Sequence, residues 1–86
     1  MNIHVSNLSL NIIDSDLRKL FSAYGEVTWA SIARDRNNGR SKGNAFIEMP
    51  NDKQATQAIL ALHHTILDGK AISVTEIKYK PGEFNN

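Results

Sequence analysis

The chain has 86 residues, 41% of them hydrophobic and 22% charged, with no cysteine and a formal net charge of +1. A chain this short buries only about 60–65% of its unfolded surface, which supports one thin core and excludes a second domain. Cysteine is absent and histidine is confined to His4, His63 and His64, so a disulfide scaffold is excluded and a structural metal site is short of ligands. Ten Lys and Arg against nine Asp and Glu argue neither for nor against a polyanionic partner.

Ile3-His4-Val5-Ser6 alternates apolar and polar residues with β-branched side chains, the pattern of a half-buried strand with Ile3 and Val5 facing a core. From Asp14 the period changes. Leu17, Leu20, Phe21 and Tyr24 follow the spacing of one helical face, Asp14 is placed to cap it, and Gly25 is placed to end it in a left-handed conformation. Residues 27–34 resume an extended pattern, with Ala30 and Ile32 on one face and Trp29, Ser31 and Ala33 on the other. Asp35 to Ser41 concentrates turn formers and reads as a hairpin connection.

Ala45, Ile47 and Met49 then face inward and Asn44, Phe46 and Glu48 outward, in a third strand ended by Pro50. Asn51 followed by Gln54 is a capping-box signature, and Ala55, Ala58, Ile59 and Leu62 repeat the helical stripe. His63 and His64 read as cationic complements to the end of this helix, since adjacent helical residues diverge by about 100° and do not make a metal pair. Leu67-Asp68-Gly69-Lys70 supplies a turn, and Ile72 and Val74 alternate with Ser73 and Thr75 in a fourth strand. Residues 1–79 are therefore expected to form one domain, with 80–86 a short disordered tail.

The expected class is α+β, a ferredoxin-like βαββαβ sandwich with a four-stranded antiparallel sheet. Right-handed crossovers put both helices on one side of it. The other face is left to solvent, and function is expected there. No apolar run reaches the ~18–20 residues of a membrane span, and the N-terminus lacks a signal pattern. The expectation is thus a cytoplasmic, intracellular chain with no membrane partner, whose Asn7-Leu8-Ser9 sequon stays unmodified.

Lys42-Gly43-Asn44-Ala45-Phe46-Ile47-Glu48-Met49 resembles the longer signature of the RNA recognition motif family. Lys42, Gly43, Ala45 and Phe46 match, Ile47 is conservative, and Asn44 and Met49 depart. Ile3-His4-Val5-Ser6-Asn7-Leu8 is similar to the family's shorter signature, with His4 where an aromatic usually stands. Residues 21–27 resemble the family's helix exit, and Leu67-Asp68-Gly69-Lys70 its turn before the last strand. The resemblance runs from about Asn2 to Lys78.

It implies single-stranded RNA binding on the open sheet face, with single-stranded DNA as a related ligand, through aromatic side chains that stack on bases. Phe46 keeps a stacking position, His4 occupies a second, Asn44 occupies a third without being able to stack, and Lys42 stands where the family places a backbone-contacting cation. Each lost stack removes on the order of 1–3 kcal/mol, so modest affinity is expected. Trp29, on the outward phase near a sheet edge, is a candidate replacement platform or else packs over that edge. Ser6, Thr75 and Lys78 complete the expected face. Arg34, Arg36, Arg40 and Lys42 around the hairpin, with Lys78 and Lys80 after the last strand, are placed to follow phosphates.

Other classes are weaker. No nucleophile constellation, phosphate loop or His-x-x-x-His pair supports an enzyme, and no cofactor or metal is implied. The runner-up is a protein-interaction or weakly self-associating module on the same fold, suggested by the replaced stacking positions and the near-neutral charge.

Overall fold

The computed structural model describes residues 1–78; the expected tail, including Lys80, and Tyr79 before it lie outside the described residues. In chain order it contains β1 (Asn2–Ser6), α1 (Asp14–Ser22), β2 (Trp29–Arg34), β3 (Ser41–Glu48), α2 (Asp52–Leu62), β4 (Ile66–Leu67), β5 (Lys70–Ala71) and β6 (Ser73–Ile77). Strands β2, β3, β1 and β6 form, in that order, one antiparallel sheet. This is the expected α+β sandwich. The turn at Asp68-Gly69 carries an addition, the small hairpin of β4 and β5, whose left-handed backbone at both turn residues fits a tight hairpin.

One sheet face and the two helices make the core. Ile3, Val5, Ala45, Ile47 and Val74 from the sheet, with Ile72 just before β6, meet Leu17, Phe21, Ala55 and Ala58 from the helices, all at 1% exposure or less. Burial of each large side chain among them contributes roughly 1.5–3 kcal/mol. No polar or charged residue is buried among the described residues, so packing carries the stability of this layer.

Several local expectations are corrected. Asp14 does not cap α1; it is the first helical residue, and its Oδ1 accepts the Ile32 backbone N–H at 2.8 Å, tying the helix to edge strand β2. The start of α1 is closed instead by Asp16, whose carboxylate accepts the Ile13 N–H at 3.0 Å. Gly25 is not a left-handed stop, because α1 ends two residues earlier at a helical Ala23. A side chain at Gly25 would overlap the Gln54 side-chain amide, so close packing of α2 explains the glycine.

The capping box expected at Asn51 and Gln54 is half formed. Asn51 accepts the Gln54 N–H at 2.9 Å, but the Gln54 side chain turns away to accept the Glu26 N–H at 3.2 Å. His63 and His64 lie beyond α2, with extended and left-handed backbones, and their rings stack at 3.7 Å. Nδ1 of His63 accepts the Val74 N–H at 2.9 Å, so this ring serves strand β6 rather than the helix dipole.

Candidate nucleic-acid interface

The sheet register places the outward residues in rows. Thr75, His4, Phe46 and Ser31 cross the four strands side by side, and Ile77, Asn2, Glu48 and Trp29 form the row beside them. None of these residues is buried, whereas their in-strand neighbours Ile3, Val5 and Ile47 are. Alternation along each strand therefore yields one packed face and one face open to solvent. Asn2 and Ile77 share the outward phase of His4 and Thr75; continuing the alternation by one step at each strand end would have found them.

At the centre of the face the rings of His4 and Phe46 lie 5.3 Å apart, tilted by 33°. The Asn44 side-chain amide reaches back from β3 to His4, with its Nδ2 3.2 Å from Nε2. An amide nitrogen only donates, so Nε2 accepts and the ring proton sits on Nδ1. Partial burial lowers the His4 pKa from the ordinary 6.5, favouring this neutral form. The three residues read separately from the sequence thus form one connected group.

Around Gly43 the strand is irregular. Ile32 pairs with Ala45 but Arg34 with Ser41, so β3 bulges between them. Gly43 has φ +81°, and its carbonyl accepts the Leu8 N–H at 2.9 Å, fastening the bulge to the chain leaving β1. A Cβ at Gly43 would approach the Leu8 carbonyl oxygen at 3.3 Å, a further reason for glycine here. Asn7 takes a left-handed backbone and donates its side-chain amide to the Ala71 carbonyl at 2.8 Å. These bonds hold the ends of both family-like signatures together.

The face is electrically uneven. At the β2–β3 hairpin end, Arg36, Arg40 and Lys42 are exposed. Asp35 organises that hairpin: its carboxylate accepts the Asn37 and Asn38 N–H groups, and these bonds lower its pKa. Arg34 donates to the Gly39 carbonyl at 3.2 Å within the same hairpin. The other end carries Glu48, hydrogen-bonded by the Thr28 hydroxyl at 3.0 Å, beside the exposed Trp29.

The structure therefore brings His4, Asn44, Phe46 and Thr75 together, sets Ser6 on the same outward phase of β1 opposite Ser73, and puts Trp29 one row away on the edge strand. Lys42 and Arg40 stand at the basic end. Lys78 follows β6, with its ammonium 3.5 Å from the Glu76 carboxylate and outside this group. Among the described residues no cluster of His, Cys, Asp or Glu could hold a metal, and no helix is long and apolar enough to cross a membrane.

Comparison with known proteins gives the same frame. The RNA recognition motif family profile matches residues 3–73. The chain is 37% identical to the 28 kDa chloroplastic ribonucleoprotein of Spinacia oleracea, over 92% of this chain and 34% of that protein. It is 38% identical to glycine-rich RNA-binding protein 1 of Mycosarcoma maydis, over 92% of this chain and 45% of that one. It thus spans less than half the length of either. Among solved structures, RNA Binding Protein PG1 superposes with a TM-score of 0.91 at 38% identity, covering 94% of this chain and 98% of that one. A Sxl-lethal protein/RNA complex superposes with a TM-score of 0.81 at 36% identity, covering 86% and 46% of the two chains.

Proposed function

The chain belongs to the RNA recognition motif family, and on that premise we propose that it binds a short single strand of RNA across the open face of its sheet. The observation that carries this reading is the half-buried His4–Phe46 ring pair at the centre of a face with no helix over it. A base laid on either ring recovers the stacking it lost when splayed out, and the basic hairpin end is suited to phosphates. RNA-binding relatives and a similar protein/RNA complex support the same ligand.

Affinity is modest on this reading, because His4 offers a smaller ring and Asn44 no stacking surface. Phe46 and His4 act as platforms, Lys42 and Arg40 as phosphate contacts, and Ser6, Thr75 and Asn44 as polar contacts. Trp29 serves a base only if the strand runs toward the Glu48 end; unchanged Trp29 fluorescence at saturating RNA would remove it from the site. Single-stranded DNA is a competing ligand through the same ring faces. No catalytic role is proposed. The spinach relative is chloroplastic, so similarity lends no support to the cytoplasmic placement expected from the sequence.

The test is a titration of the isotope-labelled protein with mixed-sequence single-stranded RNA, following backbone amide signals. Shifts concentrated in residues 4–6, 29–34, 42–48 and 73–78 are expected. Silence at high RNA concentration, or shifts on the helical side, would instead favour a protein-interaction module.

A further inference from the structure

Resting on the RNA-binding reading, we propose that His4 and Asn44 form a single base-reading device in which the protonation state of His4 decides which hydrogen-bonding group Asn44 shows to a base. The contact between Asn44 Nδ2 and His4 Nε2 at 3.2 Å commits one amide hydrogen to the ring. Among the described residues, the Asn44 carbonyl oxygen has no protein partner, and Asn44 remains partly exposed beside the Phe46 platform. With His4 neutral, the group available to a base is therefore an acceptor, Oδ1.

Protonation places a hydrogen on Nε2, and two donors then face each other. The amide turns over about its last torsion, Oδ1 accepts from Nε2–H, and Nδ2–H is shown outward. The bases divide on the same criterion. Adenine carries an exocyclic amine donor and no carbonyl, uracil carries carbonyl acceptors and no amine, and cytosine and guanine carry one of each. Neutral His4 favours adenine beside Phe46, and protonated His4 moves the preference toward uracil.

The surroundings leave the switch to this pair. The residues of β3 that face His4 are Phe46 and Asn44, β6 contributes Thr75, and β1 itself contributes Asn2 and Ser6. None is titratable. The nearest acidic group on the face, Glu48, lies one row away and is bonded by Thr28, and Lys42 stands beyond the bulge at Gly43. Phosphates of a bound strand would add the remaining charge.

The experiment measures affinity for oligoadenylate and oligouridylate of equal length by fluorescence anisotropy at about pH 8 and about pH 5. Oligoadenylate stacks on itself and, as adenine protonates, pairs with itself, so its single-stranded concentration is determined at each pH and the affinities are referred to it. The ratio of adenylate to uridylate affinity is expected to fall about 2- to 10-fold on acidification, the effect of exchanging one hydrogen bond. It stays flat in His4→Phe and in Asn44→Ala. Long-range proton–nitrogen spectra of the free protein supply a readout independent of RNA: the Nδ1–H tautomer of His4 dominates at high pH, and Asn44→Ala abolishes that preference. A pH-independent ratio with binding intact, or a dominant Nε2–H tautomer, overturns the device and leaves RNA binding standing. Failure of both oligonucleotides to bind at either pH overturns the RNA-binding reading and the device with it.

Discussion

His4 and Phe46 stand directly opposite each other on β1 and β3, and their rings are close enough, at 5.3 Å between centroids, to form one continuous platform. Phe46 supplies the larger apolar surface and also flanks the histidine ring. Phe46→Ala therefore removes a base platform and loosens its neighbour, and is expected to weaken RNA binding by roughly 5–150-fold, the equivalent of about 1–3 kcal/mol. His4→Phe enlarges the platform and is expected to tighten binding by up to about 1 kcal/mol. Calorimetric titration of both variants checks this; wild-type affinity in Phe46→Ala would place the RNA elsewhere.

The same packing sets a pH dependence. Burial lowers the His4 pKa from 6.5, so in the interval just below that value the unfolded chain binds the proton and the folded chain does not. Stability contributed by neutral His4 is therefore present above about pH 6.5 and declines as pH falls, levelling off only below the folded pKa. Denaturant unfolding at several pH values should show a steeper acid loss in the wild type than in His4→Gln. RNA binding has the opposite sign, since a phosphate near the imidazolium favours protonation. The gain in affinity on acidification, which an ordinary histidine would give between about pH 8 and 6, is moved to lower pH by this burial.

Electrostatic attraction is localised at the hairpin end, where Arg40 and Lys42 are exposed and Asp35 is occupied with the Asn37 and Asn38 amides. Two or three neutralised phosphates give a slope of log affinity against log salt of roughly −1.5 to −2. Lys42→Ala is expected to weaken all sequences about equally and to reduce the slope by about 0.7. Affinities measured over a salt series decide it. A slope near zero in the wild type would leave stacking alone to hold the strand.

Strand phase was legible because it depends on near neighbours. Ile3 and Val5 against His4 and Ser6, and Ala45 and Ile47 against Asn44 and Phe46, divide cleanly between the core and the open face. What escaped depends on partners distant in the chain. Asp14 looked like a cap because local capping is the commonest use of such a residue, but the Ile32 amide on an edge strand competes for its carboxylate. His63 looked helical until the Val74 amide is placed beside it. The bulge at Gly43 answers to the Leu8 amide, and the link from Asn44 to His4 spans two strands. No periodicity encodes these bonds.

Gly25 offers a direct measure of one such distant partner. Its position against the Gln54 side chain leaves no room for a Cβ, and the Gln54 amide also holds the Glu26 N–H at 3.2 Å. Gly25→Ala must displace that amide, losing the hydrogen bond and disturbing the contact between the end of α1 and the start of α2. A cost of about 1–3 kcal/mol is expected, as for other overpacked sites. Gln54→Ala alone loses the bond to Glu26, about 0.5–1.5 kcal/mol. In the double variant the long side chain is gone, while the Cβ of residue 54 still crowds the site, so the alanine at 25 costs less than in the wild type but more than nothing. Denaturant unfolding of the four proteins gives the coupling. Additive losses would mean that the glycine is needed for its backbone and not for the approach of Gln54.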